Sequence, residues 1–147
     1  MEKFLKALGL ERLTEEQIKL LPPPVLAYIG DAAYELYIRL WSAGLEKGAI
    51  IKHHRRTVQH VKATTQAMIL KNLSEELTEE EQDIVRKGRN AKTGSVPKNT
   101  GVVEYRMATG FEALMGYLYL SGQKDRMEEL IALGLINLES SNEEETP

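Results

Sequence analysis

The chain has no cysteine, which excludes disulfides and thiolate metal sites and fits a reducing compartment. It has no alternating apolar and polar stretch of strand length and no internal repeat, which leaves helices to build the fold. No run approaches the roughly 20 apolar residues that span a bilayer, and the first twenty residues lack the apolar centre of a signal segment. A cytoplasmic protein without membrane attachment is the expectation. Excess charge is also missing: the net charge is −3, which alone argues weakly against a nucleic-acid partner. The distribution reverses that impression. No acid occurs from Lys47 to Ser74, and from Arg86 to Arg106 six basic residues face Glu104 alone. Segregated charge of this kind suggests one positive face suited to a polyanion.

At 147 residues the chain is one domain, expected over 1–138, with 139–147 an acidic, frayed tail. The fold class is all-α, about six to seven helices around a central buried helix. That helix is expected from about Pro24 to Ser42, with Gly44 as its cap, because Val25 to Trp41 is apolar on several faces. Pro22, Pro23 and Pro24 suit its start. Thr14 with Gln17, and Thr78 with Glu81, are capping-box patterns that open two shorter helices. One long helix is expected over 47–73, a second strongly apolar one over Val103 to Leu120, and a last one ending at Leu138. The Gly, Pro, Asn and Ser content of Gly88 to Gly101 marks a loop.

On the central helix Glu35 and Arg39 stand four apart and explain each other as a pair. Asp31 has no basic residue within a turn. Glu112 repeats that situation among Phe111, Ala113, Leu114 and Met115. Gly30 precedes Asp31, Gly116 follows Glu112 by one turn, and Ala27 and Ala108 lie four residues before each acid. Glycine inside a helix is unfavourable by about 0.5–1 kcal/mol, so small residues here predict two backbones in close approach with both carboxylates in one pocket. The plainer alternative is that each acid caps a surface patch or pairs with an arginine. Two converging carboxylates would instead suit Mg²⁺, which takes oxygen ligands and completes its shell with water and phosphate oxygens. Beside a positive face, that is chemistry for phosphodiester hydrolysis.

Tyr28-Ile-Gly-Asp-Ala32 and Phe111-Glu-Ala-Leu-Met-Gly-Tyr-Leu-Tyr119 resemble the two acidic motifs of the ribonuclease III catalytic domain, Glu-Phe-Leu-Gly-Asp-Ala and Asp-x-x-Glu-Ala-Leu-Ile-Gly. With Gly88–Lys92, Pro97–Asn99 and Ala108–Leu114, the chain is most similar to the Mini-ribonuclease III branch, which lacks the appended double-stranded-RNA-binding domain. The resemblance implies a Mg²⁺-dependent endoribonuclease, with Mn²⁺ as a substitute, that cuts double-stranded RNA to 5′-phosphate ends. It also implies maturation of 23S ribosomal RNA precursors, a homodimer, and a possible ribosomal-protein helper. Asp31 and Glu112 carry over as catalytic, metal-holding acids. The family's other two acids fall on Ala27 and Thr109, a departure characteristic of the Mini branch. Tyr28 takes the place of the aromatic residue that plugs the partner subunit, or else it is an ordinary core aromatic.

Duplex RNA is read through phosphates and 2′-hydroxyls. The candidate contacts are Arg89, Asn90, Lys92, Lys98 and Asn99 in the loop, with Lys52, Arg55 and Arg56 on the third helix. His53, His54 and His60 lack the partners of a zinc site. Two rivals stand beside the enzyme: a non-catalytic ribosome-assembly factor on a degenerate nuclease fold, favoured by Ala27 and Thr109, and a helix-turn-helix DNA binder.

Overall fold

A computed structural model describes residues 1–45, 47–92, 96–98 and 100–144, and among these the chain forms eight helices and no strand. They are α1 (Glu2–Ala7), α2 (Glu15–Lys19), α3 (Pro23–Leu45), α4 (Ile50–Val61), α5 (Ala63–Leu73), α6 (Glu79–Asn90), α7 (Val102–Leu120) and α8 (Lys124–Glu144). None among the described residues is long and apolar enough to cross a membrane. The all-α expectation holds.

The central buried helix is α7, on which α2, α3, α5, α6 and α8 all pack. Its run from Ala108 to Leu118, apolar but for Thr109 and Glu112, supplies all ten of the helix's 19 residues that are buried. Helix α3 buries Leu26, Ala27, Gly30, Ala33, Tyr34 and Ile38 against it, while Val25, Tyr28, Leu36 and Leu40 stay exposed. The expectation of α3 as the all-round buried helix is therefore corrected. Apolarity on several faces reports that a helix needs cover, not that its own chain supplies it. Tyr34 meets Phe111 edge-on, ring centroids 5.0 Å apart, at the middle of the α3–α7 contact.

Both capping boxes form. Gln17 N donates to Thr14 Oγ1 at 3.2 Å and Thr14 N to Gln17 Oε1 at 2.9 Å, and Thr78 and Glu81 repeat the pattern. Four boundaries differ from expectation. Gly44 lies inside α3. The helix expected over 47–73 breaks at Lys62, whose backbone is extended. Thr65 Oγ1 donates to the Gln59 carbonyl and Gln66 Nε2 to that of Val61, so side chains satisfy the acceptors that a continuous helix would have used. Helix α6 continues through Asn90, placing Arg89 and Asn90 on a helical turn rather than in the loop. Helix α8 runs to Glu144, so the described part of the expected frayed tail is helical. Buried Leu138 anchors it.

An ion pair between half-buried Arg126 and buried Glu81 fastens α8 to α6. Arg126 Nε donates to Glu81 Oε1 at 2.8 Å and its Nη2 to Glu81 Oε2 at 3.0 Å and to the Glu76 carbonyl at 2.7 Å. Burial pushes the Glu81 carboxyl up, but the guanidinium and the Thr78 amide outweigh it and hold it below the usual 4.5. Its stabilising share is therefore complete above that range and lost as pH falls through the depressed value. Arg126→Met leaves a buried carboxylate unpaired, and we expect a loss of about 3 kcal/mol at pH 7. Urea denaturation checks this. A midpoint unchanged from wild type would show that the pair contributes nothing.

Candidate active site

Helices α3 and α7 cross at two glycines. A Cβ added to Gly30 would land on the Glu112 carbonyl oxygen, and one added to Gly116 would land on that of Leu26. The crossing is thus backbone against backbone, as the small-residue pattern predicts. Asp31 follows Gly30 directly and Glu112 sits one turn before Gly116, so the crossing brings the two acids together. Their carboxyl groups lie close enough for the charge of Asp31 to act on Glu112. Glu112 is half-buried and Asp31 exposed, one carboxylate against the core and one facing solvent.

Burial, first, and then the charge and hydrogen bond of Asp31 push the Glu112 carboxyl up to about 8. Among the described residues neither acid is in an ion pair with Lys, Arg or His. The arginine-pairing alternative is thereby excluded for the described residues. Two adjacent carboxylates without a cation, one of them reluctant to ionise, form a hard oxygen donor set that fits a divalent ion such as Mg²⁺. No group of three or more potential ligands occurs among the described residues, so water and substrate oxygens would complete the shell. Ala27 and Thr109 add nothing to it. Both are buried, and the Thr109 hydroxyl donates to the Tyr105 carbonyl at 3.0 Å.

Tyr28 is 78% exposed, which excludes the core reading. With Val25, Leu36 and Leu40 it forms an apolar stripe beside Asp31. A groove of about 600 Å³ lined by Tyr28, Asp31, Leu36, Leu40, Tyr119 and Lys124 joins stripe and acid. Lys124, 5.4 Å from the centroid of the Tyr119 ring, escaped the sequence reading because it opens a different helix and belongs to no motif.

The basic candidates divide. Lys52 and Arg55 are exposed on α4, Arg89 and Asn90 are exposed on the last turn of α6, and Lys92 and Lys98 are exposed beyond it. Asn99 lies outside the described residues. Arg56 is half-buried and donates to the buried Ser42 hydroxyl at 3.0 Å, so it helps seat α4 on α3. The histidines also serve packing. His53 Nδ1 is 2.8 Å from Ser42 Oγ, and the His60 ring meets Trp41 edge-on at 4.8 Å.

Residues 24–123 match the ribonuclease III domain. Among relatives, a Mini-ribonuclease 3 of Thermoanaerobacter sp. is 47% identical over 85% of this chain and 88% of its own. One of Symbiobacterium thermophilum is 50% identical over 76% and 85%, and one of Clostridium tetani 40% over 92% and 90%. A Fusobacterium nucleatum protein of known crystal structure is 29% identical with a TM-score of 0.73, covering 82% of this chain and 96% of that one. Two glycines that let two acids meet, on helices inside the matched segment, and relatives of nearly equal length lead to one conclusion: the chain belongs to the ribonuclease III family and is akin to its Mini-ribonuclease 3 members.

Proposed function

We propose that the protein is a Mg²⁺-dependent endoribonuclease that hydrolyses double-stranded RNA as a homodimer, with the 23S ribosomal RNA precursor as its cellular substrate. Ribonuclease activity accords with the family; the metal, the duplex specificity and the dimer are the finer reading. The observation that carries it is the Asp31–Glu112 pair, held without a basic partner across the Gly30–Gly116 crossing.

When bound, Mg²⁺ supplies electrostatic stabilisation of the phosphate and lowers the pKa of water. Asp31 and Glu112 would hold it. Because Glu112 is pushed up to about 8, it holds its proton at neutral pH and would have to give it up to act as a cation ligand. Backbone contact between α3 and α7 fixes the spacing of the two acids, so little reorganisation remains at the moment of reaction. Exposed Lys52, Arg55, Arg89, Asn90, Lys92 and Lys98 would take phosphates and 2′-hydroxyls. Each phosphate contact removed should lower the salt slope of binding by about one unit. The Tyr28 stripe would pair with its copy across a two-fold axis, giving one site per strand of the duplex.

The test is a cleavage assay on a perfect RNA duplex with Mg²⁺, with single-stranded RNA and duplex DNA as controls and 5′-end analysis of the products. Duplex-specific cutting that stops on chelation is expected. Binding without cutting across salt and Mg²⁺ concentrations would favour the non-catalytic assembly factor, the reading that the ligand-free Ala27 and Thr109 positions support.

A further inference from the structure

A second cavity, sharing no lining residue with the acid pair, lies between α5, α6 and α7 and encloses about 370 Å³. That volume falls within the roughly 300–1,000 Å³ typical of small-ligand sites. Its floor is apolar: Leu70 and Leu77 are buried, Val85 and Met107 half-buried. Its rim is cationic. Lys71 and Arg89 are exposed, and among the described residues neither is in an ion pair. Arg86, also at the rim, is tied to Asp83. An apolar bed beneath two uncommitted cations suits a ligand with a flat, poorly hydrated body and one anionic group.

We propose that this cleft is a subsite for one unstacked nucleotide, its base on the apolar floor and its phosphate between Lys71 and Arg89. Position favours that ligand. Arg89 closes α6 and precedes the basic segment that carries Lys92 and Lys98, so an RNA backbone held there passes the rim. A duplex keeps its bases stacked, so the cleft takes a bulged or terminal nucleotide of the substrate, or a free nucleotide of the same chemistry. The choice of an RNA source rests on the nuclease reading above; the cleft itself does not.

Titration of the full chain with adenosine 5′-monophosphate, followed by methyl NMR, tests the site. Adenosine and inorganic phosphate are the controls. Saturable shifts at Met107, Leu70 and Leu77 are expected, at least tenfold weaker in Lys71→Ala and absent in Ser74→Phe, which fills the cleft. Cutting of a perfect duplex should be unchanged in both variants. Equal shifts from phosphate alone or from adenosine alone, or no shifts at all, would overturn the subsite. A duplex with a single-nucleotide bulge then separates the sources. Bulge-dependent affinity that Ser74→Phe abolishes assigns the cleft to RNA, and nucleotide binding without it assigns a free nucleotide. An inactive protein that still binds the nucleotide would refute the nuclease reading and keep the subsite.

Discussion

Replacing Asp31 by asparagine should leave duplex RNA binding intact and slow cutting roughly a thousandfold, a barrier higher by about 4 kcal/mol. Asparagine keeps the size of the side chain and removes its charge, so the proposed cation site would lose one of its two carboxylates. The same substitution has an opposite effect on stability. In metal-free protein Glu112 carries its proton up to about pH 8, whereas the unfolded chain gives it up near 4.5. Between those values the folded state binds more protons, so stability falls as pH rises, by at most about 1.4 kcal/mol per unit for one group. Burial is the larger cause and remains, so removing the Asp31 charge brings the Glu112 carboxyl only partway down and ends the fall in stability at a lower pH. Asp31→Asn in chelator at pH 8 should therefore melt higher than wild type while being the poorer nuclease, an outcome that misfolding does not produce. Added Mg²⁺ should stabilise wild type more at pH 8 than at pH 5.5 and do little for the variant. Undiminished cleavage would remove Asp31 from the chemistry. A flat pH profile of wild-type stability in chelator would mean that Glu112 is not held above its ordinary range, and identical profiles for wild type and variant that the two carboxyls do not sense each other.

What could be read from the sequence was whatever rests on residues close together in the chain. Thr14–Gln17 and Thr78–Glu81 each contain the whole of their capping box within four residues, and both form. The α3–α7 crossing is long-range, yet Gly30 and Gly116 announced it because glycine inside an apolar helix needs a packing reason. Where several residues compete for one backbone group, the pattern is mute. The α4–α5 break depends on Thr65 and Gln66 capturing carbonyls that a longer helix would also have satisfied. Arg56 and Arg55 are adjacent and chemically identical, but Arg56 meets Ser42 on another helix and is drawn into packing. The α3 stripe marks a related limit: hydropathy cannot distinguish a face covered by its own chain from one that its own chain leaves exposed. For Glu81 the capping role was legible, while Arg126, a distant residue on α8, was not.

A methyl group at Gly30 and one at Gly44, in the same helix, should have opposite signs. At both positions alanine removes the helix penalty of glycine, worth about 1 kcal/mol. Around Gly44, one residue from the end of α3, nothing lies within 4 Å of the added Cβ, so Gly44→Ala should stabilise by about 0.5 kcal/mol. At Gly30 the new atom falls on the carbonyl of Glu112, and backbone cannot swing aside as the end of a side chain can. The helices must separate, which pulls Tyr34 from Phe111 and widens the gap between the two acids. Overpacking of this kind commonly costs 1–3 kcal/mol, and contact with backbone puts Gly30→Ala at about 3 kcal/mol net destabilising. Misplacing catalytic groups by about 1 Å can lower activity a hundredfold, so cleavage should fall further than the folded fraction does. Gly116→Ala presses the Leu26 carbonyl in the same way. The double variant should lose less than the sum of the singles, because helices already parted for one methyl leave room for the second. Urea denaturation of the four proteins with wild type decides the matter. If Gly30→Ala proves as stabilising as Gly44→Ala, the close crossing that brings Asp31 to Glu112 does not exist.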